Sequence, residues 1–136
     1  MCKNTRVIII LDSFKRDSLL CLKIAEEVLN FSNKLSKNVN VFLAQTGSDL
    51  VRLALSCDNS IIIHNYSRIN NKSTIKKLDF LGVKNFVLDT EGFPLWIFSK
   101  TGLISKELLA NIKVYFTWGR AQTKIINGIS RNNSES

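Results

Sequence analysis

Short apolar runs alternate along the chain with longer stretches in which apolar residues recur at helical spacing. The run 7–11 consists of β-branched residues and leucine, which is typical of a strand covered on both faces. Asp12 and Ser13 follow this run and suit a helix amino cap. The pattern therefore predicts a first strand followed by a helix. The apolar stripe of that helix consists of Leu20, Ile24, Val28 and Phe31.

The same strand–helix unit recurs four more times. Short links separate the units, and Gly82 is a natural helix stop. By the right-handed crossover rule, this alternation predicts a Rossmann-like α/β fold: an open, mostly parallel five-stranded sheet with helices on both faces. We expect one domain over 1–127 and a flexible polar tail over 128–136. The further predicted strands are 39–44, 60–66, 83–89 and 113–119, and the further helices are 49–57, 73–82, 104–112 and 120–129.

The carboxyl ends of the predicted strands are where we expect a functional site. In parallel sheets these ends share one edge, at which helix amino termini and polar loops converge. Five polar segments of the chain fall at this edge. They are 12–16, 45–48, 64–67, 89–92 and 119–122.

Asp89 and Glu91 belong to the DTEG segment that follows the fourth predicted strand. On an extended backbone the two side chains lie on the same side, whereas a turn separates them. A carboxyl group desolvated by the apolar residues that follow has a raised pKa and can act as a general base toward a hydroxyl nucleophile. The alternative is turn chemistry, because Asp, Thr, Glu and Gly are all common turn residues.

His64 and the pair Arg16–Asp17 are further candidates at the same edge. His64 is the chain's one histidine and titrates nearest to neutrality; its alternative role is a structural hydrogen bond at a strand end. The guanidinium fork of Arg16 suits an anionic acceptor. The alternative for this pair is a surface ion pair with little energetic effect.

Composition and charge narrow the class of protein. The 136 residues, 45% apolar and 22% charged, fit a globular protein. The net charge of +8 comes from dispersed basic residues, so we expect a solvated lysine-rich surface and no nucleic-acid partner. Anionic substrates or membrane-surface lipids are the alternative partners of such a surface. No apolar run reaches the roughly 20 residues of a membrane span, which predicts a cytoplasmic protein, at most at the inner face of the membrane.

The sequence predicts neither a metal site nor a cofactor. Its three cysteines lack metal-ligand spacing, and one histidine adds little to them. The segment DSFKRDS after the first strand has no glycine that lets a pyrophosphate approach the backbone, and no GxxxxGK[ST] loop occurs. Nicotinamide, flavin and nucleotide-hydrolysing roles are therefore disfavoured.

Three segments, taken in order, carry a resemblance to a known family: RVIIILDSFKRDSLLCLKIAEEVLN, FLGVKNFVLDTEG and VYFTWGRAQTKII. Their order resembles the amino-terminal half of bacterial surface-carbohydrate biosynthesis proteins, relatives of capsule and lipopolysaccharide glycosyltransferases with two Rossmann-like domains (the GT-B architecture). The residues that match the family's motifs are Arg16, Asp17, Asp89, Glu91, Gly92, Trp118, Gly119 and Gln122.

The resemblance implies transfer of a sugar from a nucleotide-activated donor to a glycan acceptor, with the first domain facing the acceptor. Glu91 is then the implied base, Asp89 supports it, and Gly92 gives the backbone freedom to present the carboxylate. Because the sequence ends where the second domain of that family begins, we expect the domain to be inactive without a nucleotide-sugar-binding partner. The implied acceptor-binding residues are Arg16, Asp17, His64, Gly92, Trp118, Gly119 and Gln122.

A non-catalytic binding or assembly module is the competing hypothesis. The segment FPLWIF places several large apolar side chains beside the proline, which is more typical of an interface or lid than of a solvent loop. We expect Phe93, Trp96 and Phe98 to contact a partner chain or a second copy under this hypothesis.

Overall fold

The structure is a computed structural model and describes residues 4–66, 69–89 and 104–131. It is an α/β fold with a five-stranded, all-parallel sheet, which confirms the predicted fold class. The strands are β1 (Thr5–Ile10), β2 (Val39–Ala44), β3 (Ser60–His64), β4 (Lys84–Leu88) and β5 (Val114–Phe116). The helices are α1 (Phe14–Lys34), α2 (Ser48–Leu55), α3 (Lys72–Phe80), α4 (Lys106–Leu109) and α5 (Arg120–Arg131), and a 3-10 turn (Ile69–Asn71) precedes α3.

The order of the strands across the sheet is β2-β1-β3-β4-β5. This order reverses direction between β1 and β3, because the chain first moves outward to β2 and then returns past β1. Ligands of doubly wound sheets bind in the crevice at such a reversal, outside the carboxyl ends of the strands. The strand order thus makes the β1–β3 part of the carboxyl edge the expected place for a ligand.

Two apolar layers cover the inner strand β1. Ile8 and Ile10 point to the face of α2 and α3, where Leu50 and Leu78 complete the core. The alternate residues of β1 pack under α1, and Cys21 belongs to that second layer. Burial on both faces explains why β1 reads as a continuous apolar run rather than as an alternating pattern.

The helix of the fourth strand–helix unit is shorter than the sequence predicts, and the helix of the fifth is longer. Helix α4 has four residues, and the Ser105 hydroxyl caps it by accepting the Leu108 N–H at 3.2 Å. Ile104 and Ile126 form the centre of a small separate core between α4 and α5. The helix α5 continues to Arg131, two residues beyond the predicted end at 129.

Candidate functional site

The polar residues at the carboxyl edge form two groups. One lies at the β1–β3 reversal and contains Asp12, the Arg16–Asp17 pair and the end of β3. The other lies at the corner between β4 and β5 and contains Asp89. Glu91 and Gly92 lie outside the described residues, as do Phe93, Trp96 and Phe98, so their assigned roles stay predictions.

A side-chain hydrogen bond joins the two strands at the reversal itself. The Asn65 amide donates from Nδ2 to Asp12 Oδ2 at 3.0 Å. Asn65 is buried, whereas Asp12 is partly exposed. The pair therefore fixes a carboxylate at the opening of the crevice, with one oxygen bonded to the protein.

The pair Arg16–Asp17 lies in the first turn of α1. The Arg16 Nε donates to Asp17 Oδ1 at 2.7 Å, and the Ser13 backbone N–H donates to Asp17 Oδ2 at 3.0 Å. The hydrogen bond from Arg16 is the main reason that the pKa of Asp17 lies below its usual value. The Asp17 side chain is 3% exposed and the Arg16 side chain is 55% exposed. The buried aspartate therefore anchors the pair, and the guanidinium group lies at the exposed carboxyl edge of the sheet, which we call the rim.

His64 ends β3 as a buried residue. Its Nε2 lies 2.9 Å from Asn85 Oδ1, and the Asn85 amide donates to Ile75 O at 3.1 Å and to Asn111 O at 3.2 Å. Because both amide protons of Asn85 are used, its oxygen must accept, and His64 Nε2 carries the proton. Burial lowers the pKa of His64, which keeps the ring neutral at physiological pH.

Asp89 is fully buried at the corner between β4 and β5. Its Oδ2 accepts a hydrogen bond from the Tyr115 hydroxyl at 2.8 Å, and its backbone oxygen accepts one from the Trp118 indole N–H. Asp89 therefore ties the end of β4 to the loop that leaves β5. Asp89 thus has the position of a structural residue at the end of β4.

The loop after β5 presents the other predicted residues. Gln122 accepts the Trp118 backbone N–H through its side-chain oxygen, and Gly119 has φ +159°, a conformation that side-chain-bearing residues rarely adopt. The Trp118 side chain is 67% exposed. An indole anchored at its N–H and open on its face is suited to stacking on a flat ligand surface.

A cleft of about 720 Å³ begins at the carboxyl end of β2, at Ala44, and extends along α2 as far as Ser56. Its polar lining combines an amide, hydroxyls, a carboxylate and a guanidinium group. By contrast, the space beneath Asp17, Cys21 and His64 measures only about 10 Å³, which is about enough for one water molecule. A ligand larger than water therefore does not fit beneath these three side chains. The polar residues of the cleft are Gln45, Thr46, Ser48, Asp49, Arg52 and Ser56.

Sequence reasoning missed two residues of these networks, Asn85 and Tyr115. Each is a polar residue that lies next to apolar residues within a strand, and this is the signal by which it can be recognised. Neither pattern identifies the bonding partner, because the partners lie 21 and 26 residues away in the chain.

Two arrangements do not occur in the part of the chain that the structure describes. No group of three or more His, Cys, Asp or Glu side chains there is arranged to hold an ion. Within the same ranges, no helix has both the length and the apolar character needed to cross a membrane.

Comparison of the sequence with protein-family models and with curated proteins gives no match.

Proposed function

We propose that this chain is the acceptor-side domain of a glycosyltransferase-like protein of surface-polysaccharide synthesis, which requires a second, nucleotide-sugar-binding domain for transfer. The observation that carries this proposal is the cleft that begins at the carboxyl end of β2 and whose lining includes the polar groups of Gln45, Ser48 and Arg52. Amide, hydroxyl, carboxylate and guanidinium groups are the donors and acceptors with which proteins bind the hydroxyl groups of sugars.

The electrostatics of the rim favour the acceptor over the donor. The first turn of α1 contains Asp17 and the first turn of α2 contains Asp49. A helix amino terminus attracts phosphate, but a carboxylate in the first turn offsets that attraction. A neutral, hydroxyl-rich glycan is thus a better ligand for this part of the edge than the diphosphate of an activated sugar.

Within the proposal, Glu91 is the base that deprotonates the acceptor hydroxyl, and Asp89 is a positioning residue. The buried Asp89 carboxylate is bonded to Tyr115, which suits support rather than proton transfer. The exposed Trp118 indole provides a stacking surface for a sugar ring. Arg16 offers a charged donor at the β1–β3 part of the same edge of the sheet.

A binding titration tests the acceptor assignment. We expect a neutral oligosaccharide fragment of a bacterial surface glycan to shift the amide resonances of Thr46, Ser48 and Asn65, and uridine diphosphate glucose to leave them unchanged. Gln45→Ala should weaken the oligosaccharide shifts, since Gln45 lines the cleft. Lys84→Ala, at the opposite end of the sheet, serves as the matched control. Stronger shifts with the nucleotide sugar than with the glycan would contradict the assignment.

A transfer assay tests the catalytic part separately. The chain is combined with a separately produced nucleotide-sugar-binding domain, and sugar incorporation into the glycan is measured. Glu91→Gln should abolish incorporation while leaving the amide shifts by the glycan unchanged. Unaltered transfer by this variant would remove Glu91 as the base.

The assembly-module hypothesis remains the second candidate, and one observation favours it. Phe116, the last residue of β5, is 46% exposed, and Trp118, two residues later, is 67% exposed. Large apolar side chains exposed together are typical of a contact surface. Oligosaccharide binding at the β2 cleft, with no partner needed, would count against this candidate.

A further inference from the structure

The strand β2 forms one outer edge of the sheet, and half of its backbone groups point away from the protein. Asn38 O accepts the Thr5 N–H at 3.0 Å and Ala44 O accepts the Leu11 N–H at 2.9 Å, so the even-numbered residues of this segment bond to β1. In a parallel ladder the alternate residues face the other way. The N–H and C=O groups of Val39, Val41 and Leu43 therefore face outward, and no described residue is hydrogen-bonded to them.

This edge lacks the features by which proteins protect exposed strands. Its six residues, VNVFLA, include neither a charge nor a proline, and the register with β1 runs through all six positions without a bulge. Two of its side chains are exposed apolar groups, Phe42 at 36% and Leu43 at 39%. An uncharged, regular, partly apolar edge of this length is a template for pairing with another strand.

The opposite edge of the same sheet is protected, which makes the contrast informative. The strand β5 has only three residues, and Lys113 directly precedes it. A short edge strand flanked by lysine is a common protection against edge-to-edge contact. The β2 edge thus lacks the protection against pairing with another strand that the β5 edge has.

We propose that two copies of this chain associate through β2, antiparallel and about a two-fold axis at Val41, to form one continuous ten-stranded sheet. In this register Val41 faces its own copy, and Val39 faces the second copy's Leu43. Each of these pairs exchanges two backbone hydrogen bonds. In an antiparallel ladder, residues whose N–H and C=O groups face the other strand lie opposite each other at every second position. The outward groups of all three residues are satisfied: those of Val41 by the second copy's Val41, and those of Val39 and Leu43 by each other across the two-fold axis.

The side chains fit the same register. Asn40 lies opposite the second copy's Phe42, on the face of the sheet that α2 covers. Within one copy, Phe42 packs against Arg6, whose guanidinium carbon lies 5.1 Å from the centre of the Phe42 ring. On the other face, Leu43 lies opposite Val39, so two apolar side chains cover each other. No charge is buried at the edge, whereas the net charge of +8 per copy causes long-range repulsion. Association should therefore strengthen, not weaken, when salt is added.

Residue-resolved hydrogen exchange tests the contact directly. We expect the amides of Val39, Val41 and Leu43 to exchange fast in dilute protein and at least about tenfold more slowly when the concentration is raised above the dissociation constant. The Asn40 and Phe42 amides, which bond to β1, should be protected at both concentrations and serve as internal controls. Protection of the three outward amides that does not change with concentration, or that never appears, overturns the proposal.

Proline substitutions at the two edges give an independent test by sedimentation. Val41→Pro removes an outward N–H without removing a bond to β1, and it should raise the dissociation constant of the dimer at least about tenfold, since two central bonds are lost. The matched control is Val114→Pro, at the first position of the β5 edge strand, where proline is tolerated. If Val41→Pro does not fold, Leu43→Lys places a charge at the same contact and should have the same effect. A dimer that survives at the β2 variants, or dissociates with Val114→Pro, contradicts the assigned edge.

Discussion

At the scale of single residues, the buried His64–Asn85 contact makes the stability of the protein depend on pH. The ring is neutral because burial lowers its pKa, while the same residue in the unfolded chain titrates near 6.5. Below that pH the unfolded state binds a proton that the folded state does not, so stability decreases as the pH falls. The slope is at most about 1.4 kcal/mol per pH unit, the value for one proton.

The prediction for His64 is a loss of unfolding free energy that begins near pH 6.5 and continues down to its folded pKa. Urea unfolding from pH 8 to pH 5 measures it. His64→Gln should remove most of this pH dependence, because a glutamine amide does not titrate. The Asp17 carboxylate acts in a separate, more acidic window, since its pKa is lowered from 3.8. A flat stability profile between pH 7 and pH 5 in the unsubstituted protein would show that the ring is not buried in the folded state.

The sequence predicts where these residues lie but not what they contact. The alternation of apolar runs places His64 and Asp89 at strand ends, and both are found there. Their burial depends on Asn85 and Tyr115, which belong to other strands and whose side chains become partners only through the sheet register. Long-range pairing of this kind leaves no local pattern in one sequence.

At the scale of secondary-structure elements, the start of α1 depends on Asp17 rather than on the predicted cap. Ser13 is the N-cap residue, yet its hydroxyl makes no capping bond; the Asp17 carboxylate instead accepts the Ser13 backbone N–H. Helix α2 also has an acid in its first turn, Asp49, but no side-chain cap. The two helices thus form a natural comparison between an acid that caps and one that does not.

We expect Asp17→Ala to lower the free energy of unfolding by about 1–2 kcal/mol, because it removes the cap and leaves the Ser13 N–H without that acceptor. Asp17→Asn keeps an oxygen acceptor and should recover part of the loss. Asp49→Ala is the matched control, and its effect should stay below about 0.5 kcal/mol, the size of a first-turn charge effect. Denaturant unfolding at pH 7 measures all three variants. Equal losses at Asp17 and Asp49 would mean that the capping bond contributes nothing.

The ends of a helix or strand can be predicted from the sequence where nearby residues set them, but not where a residue distant in the chain does. The strand β2 matches its predicted bounds, 39–44, because Asn38 and the polar segment after it mark both ends locally. Helix α4 is shorter than 104–112, because Asn111 turns its carbonyl toward the Asn85 side chain and the backbone leaves the helix before that point. The amide of Asn85 comes from 26 residues away, so the apolar pattern of the segment does not contain this stop.

At the scale of the whole molecule, the dominant feature is the surplus of positive charge. The chain has 19 lysine and arginine residues against 11 aspartate and glutamate residues. Several ion pairs among the described residues are exposed, such as Lys23 with Glu26, and exposed pairs contribute little to stability. Self-repulsion should therefore outweigh local attraction in the folded state.

Raising the salt concentration from about 20 mM to about 200 mM should thus increase the thermal midpoint of unfolding, because screening reduces repulsion over distances beyond the Debye length. The experiment is best done with the Val41→Pro variant at low concentration, so that salt-dependent association through β2 does not add to the effect. Sodium chloride and potassium chloride should act alike, since screening depends on ionic strength and not on specific binding. Sodium phosphate at equal ionic strength serves as the control for an anion site. A midpoint that falls with salt would mean that ion pairs such as Arg16–Asp17 contribute more to stability than the net charge removes.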